Sequence, residues 1–207
     1  MSDSQLVGLA KDFFQNSLDS SPTSAIMRGH KKYFDQIEEL TEEQFQKEKD
    51  IVDTFIQRLN AIEKDNLTSR EKVTHGMLEF ALSSNKDSLL DRSWEFGAGV
   101  AGFTGFLIDY NQQMFVPDSE SADMMLKRLE LYKRLYTQIA DVQKLGLNNN
   151  RVATERNLLR TIDQLENYLA SSLDQDPLLL VNFSPEISDS EISEWKDKAK
   201  NIIEANI

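Results

Sequence analysis

The chain has 207 residues, 40% of them hydrophobic and 28% charged, with a formal net charge of −12. That is long enough for one ordinary domain, with two small ones possible, and for a real core. The lack of cysteine excludes disulfides, thiol nucleophiles, iron–sulfur clusters and most structural zinc sites. The acidity argues against nucleic acid and anionic membrane surfaces as partners. No apolar run reaches the roughly 18–20 residues that span a bilayer. MSDSQLVGLAKDFF has neither the basic lead nor the apolar core of an export signal, so the expected location is cytoplasmic.

The spacing of Leu6, Ala10, Phe13, Phe14 and Leu18 predicts a first helix from about Ser4 to Leu18. Ser21-Pro22 reads as a cap with proline at the first helical position, and Gly29 as the left-handed residue ending that short helix. In the connector that follows, Tyr33 and Phe34 need burial. Thr41 with Gln44 opens a third helix carrying Phe45, Val52, Phe55, Leu59 and Ile62. Thr68 with Glu71 opens a fourth, with Val73, Met77, Phe80 and Ala81 as its expected buried stripe; Glu71 and His75 on it read as a surface contact.

Trp94–Pro117, WEFGAGVAGFTGFLIDYNQQMFVP, breaks the pattern. Four of the eight glycines fall within nine residues, and Phe96–Ile108 carries no charge. Gly97, Gly99 and Gly102 match the spacing of a dinucleotide-binding turn, but no strand precedes them and no βαβ alternation surrounds them. The stretch is also too short to span a membrane. Two readings remain open: a core plug in which glycines permit close packing, or a groove lined by Trp94, Phe96, Phe103, Phe106 and Tyr110 with Asp109 as polar anchor.

Beyond it, Ser119 or Ser121 caps a long fifth helix with Met125, Leu129, Tyr132, Tyr136 and Ile139 as its stripe, ended by Gly146. Leu158, Ile162, Leu165 and Leu169 mark a sixth helix, and LLLVNFSP an extended segment or buried corner. Ser188 with Glu191 opens a seventh, with Ile192, Trp195, Ala199 and Ile202, still periodic at Ile207. The expectation is an all-α fold: an antiparallel helical bundle or stacked helical hairpins, six to seven helices in one domain over residues 1–207, with one Gly/Phe-rich irregular insert. His30 and His75 have no partner at ligand spacing and no serine sits in a nucleophile elbow, so no catalytic or metal residue is assigned.

The order of these joints resembles the bacterial proteins grouped as domain of unknown function 885. Ser21-Pro22, Ala25, Gly29, His30, Tyr33, Asp35 and Leu40-Thr41 look like the family's opening. Leu59, Ile62 and Leu67-Thr68 are similar to its next joint, and Leu126-Lys127-Arg128-Leu129 to its Leu-x-Arg-Leu. Gly146 and Val152 look like its glycine turn, with Asn148 to Asn150 where prolines are usual, and Phe183-Ser184 to Trp195 like its later joint. The resemblance implies a longer, helical, zinc-metallopeptidase-like protein whose later half carries a His-Glu-x-x-Pro-Gly-His-His stretch. Nothing in this chain matches that stretch. On this reading the chain is the N-terminal helical portion, catalytically inactive alone, and forms one wall of a peptide-binding cleft. Zinc is expected only in the absent half. Its partners would be a peptide or that half, with a homo-oligomer left open. The alternative is a standalone helical protein-interaction module.

Overall fold

The computed structural model describes residues 5–96 and 110–207. They are predominantly helical, as expected, with one pair of two-residue strands. The described residues fall into two compact units: residues 5–20 with 40–94, and residues 21–39 with 95–96 and 110–207.

The first unit contains α1 (Gln5–Asp19), α3 (Glu42–Asn60) and α4 (Ser69–Leu90). Leu6 and Leu9 of α1, Val52, Phe55 and Leu59 of α3, and Leu78 and Leu82 of α4 form one apolar core. Phe13 meets Phe55 edge to face with ring centroids 5.7 Å apart, a geometry the aromatic quadrupole favours. The Thr41 hydroxyl accepts from the Gln44 N–H. Thr68 and Glu71 form the full reciprocal capping box, which satisfies two otherwise orphaned N–H groups of α4.

The unit corrects two parts of the sequence reading. Val73, Met77 and Phe80 of α4 are exposed, Phe80 by 76%, and Leu78 and Leu82 are buried instead. The helix carries two apolar faces, and contact with α3 and α1 selected the one bearing His75, Leu78 and Leu82. His75 is accordingly buried, with Glu79 as its nearby carboxylate at 3.9 Å from Nδ1. On α1, Leu9 is in the core and Phe14 is outside it, 49% exposed.

The second unit begins with α2 (Pro22–Met27), ended by Gly29 at φ +85°, the left-handed conformation that glycine adopts without penalty. Tyr33 and Phe34 are buried as expected. Later come β1 (Phe115–Val116), α5 (Ser119–Glu130), α6 (Tyr132–Asn148), α7 (Glu155–Ala170), β2 (Asn182–Phe183) and α8 (Asp189–Asn206). The strands pair in parallel, Phe115 opposite Asn182 and Val116 opposite Phe183. Helices α5 and α8 pack along each other, with the buried Trp195 indole donating to the Ala122 carbonyl at 2.8 Å. Ser188 and Glu191 form the expected capping box.

Three joints here differ from expectation. The cap of α5 is Asp118, whose carboxylate accepts from the Ser121 N–H, and not Ser119 or Ser121. The expected long helix is two, α5 and α6, parted at Leu131. Gly146 lies inside α6 and does not end it. A Cβ there would come within 2.7 Å of the Arg151 and Glu95 carbonyl oxygens, so glycine is required by close backbone approach.

The interior of this unit is polar at one point. Arg128 of α5 is fully buried. It donates to the Gln36 carbonyl and to the Thr23 hydroxyl, 2.6 Å away, and lies 3.9 Å from the Glu38 carboxylate. Glu38 in turn accepts from the Thr23 N–H and hydroxyl at 2.9 and 2.7 Å. Burial pushes the neighbouring Tyr132 phenol upward from its ordinary range, opposed by the Arg128 charge.

Candidate functional site

Two concave surfaces, one in each unit, have the character of binding sites. The first is a cleft of about 320 Å³ in the first unit, bounded by α1, α3, α4 and Trp94. Its aromatic side is Phe13, Phe45 and Trp94. Phe45 and Trp94 stack with centroids 4.2 Å apart and planes 12° from parallel. The Arg92 guanidinium lies over the same indole at 4.7 Å and is held by Glu42 at 2.9 Å. Its polar side is Asn16, Glu48 and Asn85. Burial raises the Glu48 carboxyl above its ordinary pKa, only partly offset by a 3.4 Å hydrogen bond from Gln44. The Trp94 indole nitrogen is buried with no hydrogen-bond partner among the described residues, and such a donor normally has one.

The second is a more apolar groove of about 360 Å³ in the second unit, lined by Glu95, Ala140, Leu147, Arg151, Val152 and Leu158 among others. Glu95 is buried at its base. It accepts from the Asn149 side chain at 3.1 Å and faces Arg151 at 3.5 Å. The groove runs onto α7 through Leu158. Thr161 is the buried residue of that helix. Its predicted stripe of Leu158, Ile162, Leu165 and Leu169 is exposed, Leu169 by 73%. The periodicity of the stripe was legible. Among the described residues no second apolar surface covers it.

The candidate residues read from the sequence fall as follows. Trp94 lies in the cleft of the first unit, partly buried. Phe96 is 45% exposed in the second unit, with the Arg151 guanidinium 5.9 Å from its ring centroid. Tyr110 is half-buried in the second unit beside the buried Asn111, whose amide donates to the Leu178 carbonyl at 2.8 Å. Phe103, Phe106 and Asp109 lie outside the described residues, as does the glycine run 97–105. Sequence reasoning missed Glu48, Asn16 and Asn85. Glu48 stands in the charged run EEQFQKEKD, where nothing in local pattern separates a cleft carboxylate from a solvated one.

A family model described as a bacterial protein of unknown function (DUF885) matches residues 22–207. The chain belongs to this family. No curated protein and no solved structure matches it. Several residues that carry the likeness are structural in this DUF885 chain: Gly29 ends a helix, Thr68 caps one, and Arg128 anchors the buried polar cluster. Among the described residues no three His, Asp or Glu side chains gather to hold a metal, and His75 has only Glu79 nearby. Likewise, no described helix is long and apolar enough to cross a membrane.

Proposed function

We propose that this chain is a non-catalytic helical portion of a peptidase-like protein and supplies one wall of a peptide-binding cleft. The observation that carries the reading is the uncovered face of α7, where Leu158, Leu159, Ile162, Leu165 and Leu169 stand exposed next to the Glu95–Leu147–Val152 groove. Covering a leucine side chain contributes about 1.5–3 kcal/mol, so such a stripe is a seat for another polypeptide. The buried Glu95 and the Arg151 beside it supply the polar groups that orient a chain in an otherwise apolar groove. Membership in the DUF885 family over nearly the whole chain supports the peptidase-like context through the resemblance.

The same face also supports the standalone interaction module. Leu158, Ile162, Leu165 and Leu169 are spaced four, three and four residues apart, the seam by which one helix packs along another. The coding sequence beyond Ile207 separates the two. A reading frame continuing into the His-Glu-x-x-Pro-Gly-His-His stretch is expected for the first reading, and a stop codon leaves the module. Peptide hydrolysis by the 207-residue chain with stoichiometric zinc would falsify the non-catalytic assignment.

A further inference from the structure

The cleft of the first unit contains an incomplete set of interactions. Glu48 presents a carboxylate that forms no ion pair among the described residues, and its one hydrogen bond, from Gln44, is long at 3.4 Å. A partly desolvated carboxylate without a cation is unfavourable, and a charged donor at that place would relieve it. The side-chain amides of Asn16 and Asn85 line the same cleft and make no hydrogen bond among the described residues. The serines, by contrast, are already engaged. Ser17 donates to the Phe14 carbonyl at 2.7 Å, Ser20 to the Asn16 carbonyl at 3.0 Å, and Ser88 pairs with Ser93 at 2.8 Å. The remaining wall is Phe13 and the Phe45–Trp94 stack.

These groups define a ligand by its chemistry. Glu48 calls for a cationic amine. A side-chain amide offers one donor edge and one acceptor, which matches the C=O and N–H of a peptide unit. The aromatic wall calls for an apolar or aromatic group close to both. A volume of about 320 Å³ is at the small end of ligand sites, which run from about 300 to 1,000 Å³. It therefore suits a terminal residue better than a long segment. We propose that this cleft binds the free amino end of a peptide whose first residues are apolar or aromatic, with Glu48 holding the ammonium group. The proposal rests on the peptide-binding reading above only in taking the ligand to be a peptide; its site is the cleft of the first unit, separate from the α7 groove.

Isothermal titration calorimetry of the full 207-residue chain tests it, with L-leucyl-L-phenylalaninamide and its N-acetyl form as probes. Expected is one site per chain for the free amine, with affinity weakened about tenfold or more by acetylation, since a hydrogen bond to a charged group contributes about 1.5–3 kcal/mol. Glu48→Gln, nearly isosteric, should erase that difference by weakening only the free amine. Trp94→Phe, which narrows the aromatic wall and keeps a ring against Phe45, should weaken both forms alike. Equal binding of both probes to the unaltered chain overturns the role of Glu48 and leaves peptide binding intact. Binding that discriminates between the probes but is unchanged by Glu48→Gln moves the site elsewhere and overturns this assignment. If neither peptide binds but L-phenylalaninamide does, with the same dependence on Glu48, the cleft takes a free amine and the peptide part of this proposal is overturned, while the reading of the α7 face is untouched. No binding by any probe overturns the proposal.

Discussion

The two units solve the problem of an interior differently. In the first, the central cluster is hydrocarbon, Leu6, Leu9, Val52, Phe55, Leu59, Leu78 and Leu82, with one imidazole, His75, buried on the same face of α4. In the second, comparable leucines and aromatics surround a fully buried arginine, a buried glutamate and a buried asparagine. A hydrocarbon core is held by volume and area, and it tolerates substitutions that keep both. A buried charge is held by its partners, and losing one leaves the others desolvated and unpaired. The contrast predicts that the second unit is the more fragile to single polar substitutions and that the first responds in proportion to the volume removed.

The largest effect is expected at Arg128. Arg128→Ala leaves Glu38 without its buried cation and the Gln36 carbonyl without its donor, and should cost about 3–5 kcal/mol in urea unfolding. Arg128→Met combined with Glu38→Gln should recover part of that loss, and recovery of none would break the account of a charge held by its partners. Leu59→Ala in the first unit should cost about 2–5 kcal/mol, the range for a buried leucine. Its double variant with Leu82→Ala should test whether the hydrocarbon core loses stability with cavity volume.

Gly146→Ala should cost about 1–3 kcal/mol, because the added Cβ would lie 2.7 Å from the Arg151 and Glu95 carbonyl oxygens and must push that backbone away. A neutral result would remove the close-approach explanation for that glycine. The smallest effect is one of pH. The Asp118 carboxyl is held at about 2, below its ordinary 3.8, by hydrogen bonds from Lys31 and from the Ser121 side chain and N–H. A lowered folded-state pKa contributes stability above the unfolded value, and this is lost as pH falls from about 3.8 to about 2. Asp118→Asn should therefore flatten the acid limb of a thermal-denaturation profile in that window, and an unchanged limb would break the link.

What was legible in the sequence was local. Thr68 with Glu71, Ser188 with Glu191 and Gly29 are signals whose partners lie within a few residues, and each forms the joint it announces. What failed needed knowledge of a distant neighbour. Helix α4 has two apolar faces of similar period, so spacing alone does not say whether Phe80 or Leu82 meets α3. Helix α7 has a regular stripe, and regularity does not reveal whether anything covers it. Gly146 reads as a helix stop by type, although its reason is the Arg151 and Glu95 carbonyls. The cleft was the least legible part. Asn16, Glu48, Asn85 and Trp94 come from separate elements, and only Trp94 stood out, because it borders the glycine-rich stretch.

The placement of the two tryptophans gives the molecule a pair of optical reporters. Trp94 belongs to the first unit, where it stacks on Phe45 beneath a guanidinium. Trp195 belongs to the second, buried edge-on to Phe183 with its N–H bonded to a carbonyl. Replacing either one by phenylalanine leaves an emission signal that speaks for a single unit. Two such variants, followed through one denaturant series, would resolve whether the hydrocarbon interior and the charged interior melt together or in turn.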